Sequence, residues 1–365
     1  MAATAPRTRL EPDVFRLPVD RLRDGYYSDA YFTLTKELLE AEGRHPPVTM
    51  QVFQKQSAVL GGVDEAVALL KQCAGHRKPG GGWVPGFGEL EVRALYEGDA
   101  IEPHETVMTV EGDYSLFAHL ETVYLGAMAR RTLVMKNVHE VVEAARGKQI
   151  LFFPARHDHW LVQTGDGWAA HVAGAIGVST DAQASWWGGT GIGTVPHALI
   201  AAYGGDTVAA ARAFAERYSG QMNVTVLVDF DNDSVATALA VSDALGEDLW
   251  GVRLDTSEAL VDAGLQRALG DDAGHGVTVD LARSVRSALD DAGHGHVRIV
   301  CSGGFDARRI CDFEAQEAPV DAYGVGSSLL RGQNDFTADV VLLDGKDVAK
   351  VGREFKPNTR LERVH

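Results

Sequence analysis

The sequence of 365 residues has only three cysteines, standing far apart at Cys73, Cys301 and Cys311. An odd number without CxxC spacing excludes a disulfide framework and a cysteine-based structural zinc site, and it points to a reducing cytoplasm. No run of about 18 apolar residues occurs, so no membrane span is expected. The opening stretch MAATAPRTRLEPDVF has arginines but no apolar segment behind them. It does not read as a secretory signal, and residues 1–20 are expected to form a short mobile tail. Basic charge is scarce: 34 Lys+Arg stand against 51 Asp+Glu, a net charge of −17. That balance disfavours wrapping a nucleic acid, although a few local arginines suffice to hold a small anion. Internal repeats and low-complexity linkers are missing as well.

What is present is ordinary in bulk and informative in order. Hydrophobic content of 45% and charged content of 23% suit a globular protein, and the length suggests two domains. In the first third, the spacing predicts helices over 29–42 and 64–73, and strands over 49–54, 90–96 and 105–110. The glycine- and proline-rich segment 78–88 reads as a loop, and a helical pattern runs through 113–147. From residue 150 onward, short apolar runs at 150–153, 224–228, 249–254, 297–301 and 322–325 alternate with helical patterns at 206–218, 234–245, 279–292 and 306–313. This rhythm is that of a parallel α/β architecture, which an open sheet and a closed barrel share. Every one of these strands ends in a polar or glycine-rich element. In a barrel all such ends converge on one face, whereas in an open sheet only those at the switch point do; the barrel is therefore the expected fold.

The strand ends carry the chemistry. Ser302-Gly303-Gly304 and Gly324-Val325-Gly326-Ser327-Ser328 follow the last two strands, where glycine backbone can approach phosphate oxygens; tight strand-to-helix turns are the plainer alternative. In Arg253-Leu254-Asp255 the two charged side chains share one side of a strand. The arginine suits a carboxylate or phosphate, and Asp255, like Asp229 and Asp231, suits Mg²⁺ or ribose hydroxyls; an ion pair at the barrel rim is the structural alternative. Phe153 and Arg156 suit a flat anionic heterocycle, one by stacking and the other by charge. His157 and His159 form an H-x-H too weak for a metal site and read as helix-start residues or as supports behind the substrate-binding side chains. The Gly188–Thr194 stretch lacks a dinucleotide fingerprint and reads as a flexible loop delivering His197 to a helix start.

In order along the chain, Ser28-Asp29-Ala30-Tyr31, Phe153-x-x-Arg156, Ser179-Thr180-Asp181, Gly193-Thr194-x-x-His197, Asp229, Arg253-x-Asp255, Ser302-Gly303-Gly304 and Gly324-x-Gly326 resemble the nicotinate phosphoribosyltransferase family. The resemblance runs from about Gly25 to the VGREFKPN segment at 351–358. It implies a type II phosphoribosyltransferase-like irregular α/β barrel over 136–336, beside an α/β sandwich domain over 21–135 that is joined by C-terminal strands in 337–365. It also implies transfer of phosphoribosyl from phosphoribosyl pyrophosphate to nicotinate in the cytoplasm, with Mg²⁺ as cofactor and ATP as a candidate co-substrate acting through His197. By resemblance, His197, Asp229, Arg253 and Asp255 are catalytic, with Asp229 and Asp255 also serving Mg²⁺. Phe153, Arg156 and Asp181 bind substrate near the pyridine, Thr194 also binds substrate, and Ser302, Gly303, Gly304, Gly324, Gly326 and Ser327 hold the 5′-phosphate. Asp29 and Tyr31 reach a neighbouring subunit's site, which implies a homodimer. Two departures stand out. The strand-end motif is SGGFD rather than SGGLD, and His157 replaces a second arginine after Arg156. Nicotinamide and quinolinate remain alternative substrates, the latter with Arg130, Arg131 and Lys136 as extra cations unless these form a solvated helix face. A non-catalytic phosphosugar or nucleotide sensor is the alternative outside the class.

Overall fold

In the computed structural model, which describes residues 7–365, the chain divides into two units. The first comprises the chain up to Lys136 together with Gly332–His365, and the second is Asn137–Arg331.

The first unit is built on a six-stranded antiparallel sheet. Its order is Lys346–Asp347, Phe336–Leu343, Pro47–Gln54, Thr106–Asp113, Glu91–Ala94 and Glu362–Arg363. Alternation sends Val48, Met50 and Val52 of the central strand to one face. There they join a core that includes Val67 and Leu70 of the helix Val63–Cys73, with Tyr124 and Met128 from the helix Glu121–Ala144. The opposite face of that strand is not left to water. Gln51 clamps the C-terminal segment through its amide, donating from Nε2 to the Glu354 carbonyl (2.8 Å) and accepting from the Lys356 amide (3.0 Å). Coverage of both faces explains why the strand is buried along nearly its whole length instead of alternating.

Three expectations are corrected here. The mobile tail expected over 1–20 is packed structure from Arg7 onward: Pro12–Phe15 form a 3-10 turn with Phe15 buried. Arg9 donates to buried Asp64 (2.8 Å) and to the carbonyls of Ala94 (3.1 Å) and Leu95 (2.9 Å), so a guanidinium with several donors fixes the segment. Residues 1–6 of that expected tail lie outside the described residues. The loop expected over 78–88 is in part a hairpin, with Gly75–Arg77 paired to Trp83–Pro85 across a glycine turn. The helical stretch 113–147 begins as two 3-10 turns and continues as the helix Glu121–Ala144.

The second unit contains a six-stranded parallel sheet in the order Val224–Leu227, Leu249–Leu254, Arg298–Cys301, Ala322–Val325, Gln149–Phe152 and Gly177–Val178. Its two edges are bridged by the chain just before His197. Ile192 donates to the Val178 carbonyl (2.7 Å) on one edge, and Val195 donates to the Thr225 carbonyl (2.8 Å) on the other. The sheet thereby curls into an irregular barrel. Glycine content made this stretch read as flexible, yet its backbone donors are spent on both sheet edges. Inside, Leu151, Val300 and Ala322 pack with Phe153, Ile192 and Trp250. Two residues further along three strands, on the same inward face, stand Phe153, Ser302 and Gly324. A single apolar layer therefore lies beneath the residues at the barrel mouth.

Candidate active site

Arg253 organises the mouth. Its Nε donates to the Ser302 hydroxyl (2.7 Å), which in turn donates to Asp255 Oδ1 (2.7 Å). The two Nη groups make only long contacts, to Thr194 Oγ1 (3.4 Å) and Asp255 Oδ1 (3.5 Å). The guanidinium also lies over the Phe153 ring, 5.0 Å from its centroid. Phe153 takes this position because residue 324 has no side chain: a Cβ there would stand 2.7 Å from two of the ring carbons. The geometry thus joins a cation, an aromatic face and a carboxylate. The long Nη contacts leave hydrogens for a shorter, charged acceptor.

Beside it, His197 at the start of the helix His197–Ala202 places Nε2 2.9 Å from Asp229 Oδ1. The aspartate side chain is 7% exposed and the histidine's 44%, so the ring is reachable while its partner is sheltered. Burial pushes the Asp229 carboxyl above the usual carboxylate value, the His197 hydrogen bond and charge pull it back, and nearby Asp255 adds to the rise. Among the described residues only Oδ1 of Asp229 and of Asp255 is hydrogen-bonded, which leaves Oδ2 of both for a further ligand.

The glycine elements complete the arrangement. Gly303 and Gly304 hold φ of +85° and +69°, the left-handed region that favours glycine. Among the described residues the amides of Gly303, Gly304 and Phe305 have no acceptor. Three successive unspent N–H groups in such a turn form an anion-binding concavity. Gly326 lets the His157 ring approach, since a Cβ there would lie 3.2 Å from Cε1. Ser327 opens the 3-10 turn Ser327–Leu330 and is exposed.

Other expected residues are placed differently. Arg156 is exposed at the 3-10 turn Ala155–His157, with no ion pair among the described residues. Asp181 accepts from the Gly191 amide (2.8 Å) and so braces the segment that closes the barrel. Asp29 and Tyr31 belong to the first unit. There Asp29 Oδ2 accepts from the Thr122 hydroxyl (2.8 Å), and Tyr31 stands 61% exposed. Arg131, expected as an extra cation for quinolinate, is committed to Glu65 (3.1 Å). Sequence reading missed Arg309, whose Nη1 donates to the Gly303 carbonyl (2.8 Å). Its signal was the Arg308-Arg309 pair shortly after the glycine turn, which resembles any solvated helix face.

Known proteins share parts of this sequence and this fold. Residues 29–132 match the family described as quinolinate phosphoribosyl transferase, N-terminal domain. The chain is 31% identical over 269 residues to nicotinate phosphoribosyltransferase pncB1 of Mycobacterium tuberculosis (strain ATCC 25618 / H37Rv), a match covering 71% of this chain and 55% of that protein. It is 23% identical over 240 residues to a nicotinate phosphoribosyltransferase of Bacillus subtilis, covering 65% of this chain and 45% of that one. The chain therefore spans about half the length of the curated relatives it matches. Among solved structures, nicotinate-nucleotide pyrophosphorylase from Pyrococcus furiosus superposes with a TM-score of 0.77 at 29% identity, covering 95% of this chain and 85% of that one. Human nicotinic acid phosphoribosyltransferase shares the fold at a TM-score of 0.62 and 18% identity, over 88% of this chain and 75% of that one. In its ordered strand-end motifs, its barrel and these likenesses, the chain is similar to the nicotinate phosphoribosyltransferases.

Proposed function

We propose that this chain transfers phosphoribosyl from phosphoribosyl pyrophosphate to nicotinate, giving nicotinate mononucleotide and pyrophosphate. The observation that carries this reading is the joining of Phe153, Arg253, Ser302 and Asp255 at one barrel mouth, beside unspent glycine-turn amides. A flat anion fits the aromatic face and Arg156, and the sugar 5′-phosphate fits the amides of Gly303, Gly304 and Phe305. The free Nη hydrogens of Arg253 fit phosphate or ribose oxygens. Bond breaking at C1 of the sugar develops positive charge on the ring and negative charge on the leaving diphosphate. The residues act by holding both reactants in line and by offering fixed donors to that diphosphate.

The free Oδ2 oxygens of Asp229 and Asp255 fit Mg²⁺, an ion commonly held by one or two carboxylates together with substrate phosphates. Among the described residues no group of three His, Cys, Asp or Glu side chains forms a metal cage, as suits an ion that arrives with substrate. Bound there, Mg²⁺ would neutralise charge on the diphosphate. ATP coupling runs through His197 in this reading: the γ-phosphoryl group passes to the ring, ADP leaves, and water later releases phosphate. Asp229 orients the ring and shares its charge. Asp29 and exposed Tyr31 complete a site in a second copy of the chain, making the working form a homodimer. No helix among the described residues is long and apolar enough to cross a membrane, and we assign the enzyme to the cytoplasm.

A quinolinate-using enzyme is the second reading, favoured by the match of residues 29–132. The commitment of Arg131 to Glu65 speaks against it, because a second carboxylate wants a further cation. Incubation with phosphoribosyl pyrophosphate and nicotinate, nicotinamide or quinolinate, each with and without ATP-Mg²⁺, tests the proposal. Pyrophosphate release with nicotinate is expected. No turnover of nicotinate at any ATP level overturns it, and labelled CO₂ from quinolinate establishes the second reading instead.

A further inference from the structure

The glycine turn Gly303-Gly304 has no side chain of its own to hold it, and the peptide between these residues could present either of its polar groups to a ligand. The Gly303 carbonyl and the Gly304 N–H belong to one planar trans peptide, so they point in opposite directions and rotate together. Whatever fixes the carbonyl fixes the amide.

Arg309 is placed to do this. It is the third residue of the helix Ala307–Ala315, and its side chain is only 23% exposed. Nη1 donates to the Gly303 carbonyl at 2.8 Å, and Nη2 donates to the Val277 carbonyl at 2.7 Å. The guanidinium also lies 4.5 Å from the centroid of the buried Phe305 ring. A planar fork held at two carbonyls and one ring has little freedom to release any of them. Its contact with Glu258 is longer, at 3.4 Å, and that carboxylate is 74% exposed, so it is not the anchor.

We propose that Arg309 is a positioning residue for the sugar 5′-phosphate. By holding the Gly303 carbonyl toward itself, it keeps the Gly304 N–H turned away as a donor, in line with the free amides of Gly303 and Phe305. This inference rests on the phosphoribosyl reading above, but not on nicotinate as the acceptor. The same bond keeps an unsatisfied carbonyl oxygen from facing the phosphate, where it would repel it.

The test measures binding of ribose 5-phosphate by calorimetry to the full chain and to Arg309→Lys, Arg309→Gln and Glu258→Gln, with thermal unfolding of each. Lysine keeps the charge but cannot span two carbonyls with a planar fork. Both Arg309 variants are expected to bind about 10-fold or more weakly, the equivalent of one lost hydrogen bond, while Glu258→Gln, which only removes a carboxylate standing against Gly304, does not weaken binding. In turnover, the KM for phosphoribosyl pyrophosphate should rise by a similar factor, with kcat and the KM for nicotinate changed less than about 2-fold. A merely structural role would instead lower the melting temperature and leave these ratios together. Parent-like affinity in folded Arg309→Lys overturns the proposal, and that variant decides the matter should Arg309→Gln unfold. If the parent binds ribose 5-phosphate but does not turn over nicotinate, the nicotinate reading falls and the role of Arg309 stands. If the parent does not bind it at all, the role of Arg309 falls, and the nicotinate reading stands or falls by turnover alone.

Discussion

Two buried networks of the first unit and the barrel mouth of the second treat their polar groups in opposite ways. In the first, Lys36 is 7% exposed and spends its ammonium on the carbonyls of Gly75 (2.7 Å) and Ser115 (2.6 Å) and on Glu40 (2.8 Å). Glu97 likewise accepts from the amides of Gly62 and Asp64, each at 3.1 Å. These circuits are closed, and closed buried networks specify a fold. At the barrel mouth of the second unit, among the described residues, Arg253 keeps long Nη contacts, two aspartates keep a free oxygen, and three glycine-turn amides have no acceptor. A polar network left open at the mouth of an otherwise apolar barrel is a network waiting for a ligand.

The sharpest way to break this contrast is to remove one member from each kind of network. Arg253→Ala should lower kcat/KM by about 10²–10³, because a charged donor aimed at developing charge is lost from a partly desolvated site. Its melting temperature should barely move, because the network it leaves was never closed. Steady-state kinetics beside thermal unfolding check both halves, and a large stability loss with intact turnover would contradict the contrast. Lys36→Met should do the reverse. It strands two buried carbonyls and costs about 2–4 kcal/mol of stability, read from denaturant midpoints, while the folded fraction keeps the parent's kinetic constants.

Much of the second unit was legible because each strand is a short apolar run ending in a charged or glycine element, and helices of ordinary length lie between. The helix Ser234–Leu245 was read to the residue, and Val279–Asp291 to within one. What was not legible has physical reasons. The Gly177–Val178 strand is too short to show a period. The segment Ile192–Val195 closes the barrel through backbone bonds that no side chain announces. Asp181 and Arg309 carry charges that suggest ligand contact or solvent, yet both are spent on backbone groups of neighbouring loops. In the first unit, Gln51 and the C-terminal segment cover the second face of the strand Pro47–Gln54 through contacts between residues about 300 positions apart, which no local pattern announces.

Titration gives a further probe of the first unit. Burial, with Asp339 and Asp29 nearby, pushes the Glu121 carboxyl up to about 8, from an ordinary value of 4.5. A carboxyl whose folded value is raised keeps its proton while the unfolded chain loses one. Its contribution to stability is therefore fully present below about pH 4.5 and is lost as pH rises through about 8. Stability should fall across that window by on the order of 1–3 kcal/mol, and Glu121→Gln should flatten the slope. Denaturant melts at pH 5, 6.5 and 8 check this, and an equal slope in the variant would assign the effect elsewhere.

The smallest expected effect separates the units most cleanly, because it uses one substitution in two places. A Cβ at Gly62 would stand 2.7 Å from the Ala127 carbonyl oxygen, at a φ of +79°. The obstacle is helix backbone, which cannot step aside, so Gly62→Ala should cost about 1–3 kcal/mol of stability and leave turnover alone. A Cβ at Gly324 would stand equally close, 2.7 Å, but to the ring of Phe153. That ring is only half-buried and can rotate, so the fold should tolerate Gly324→Ala with little change in melting temperature. The rotation, however, removes the ring from its place 5.0 Å beneath the Arg253 guanidinium. The KM for nicotinate should then rise by about 10-fold, the loss of a stacking contact of about 1 kcal/mol or slightly more. Equal stability losses from the two alanines would mean that the mouth of the barrel is as closed as the core of the first unit, and the reading of an open, ligand-awaiting network would have to be given up.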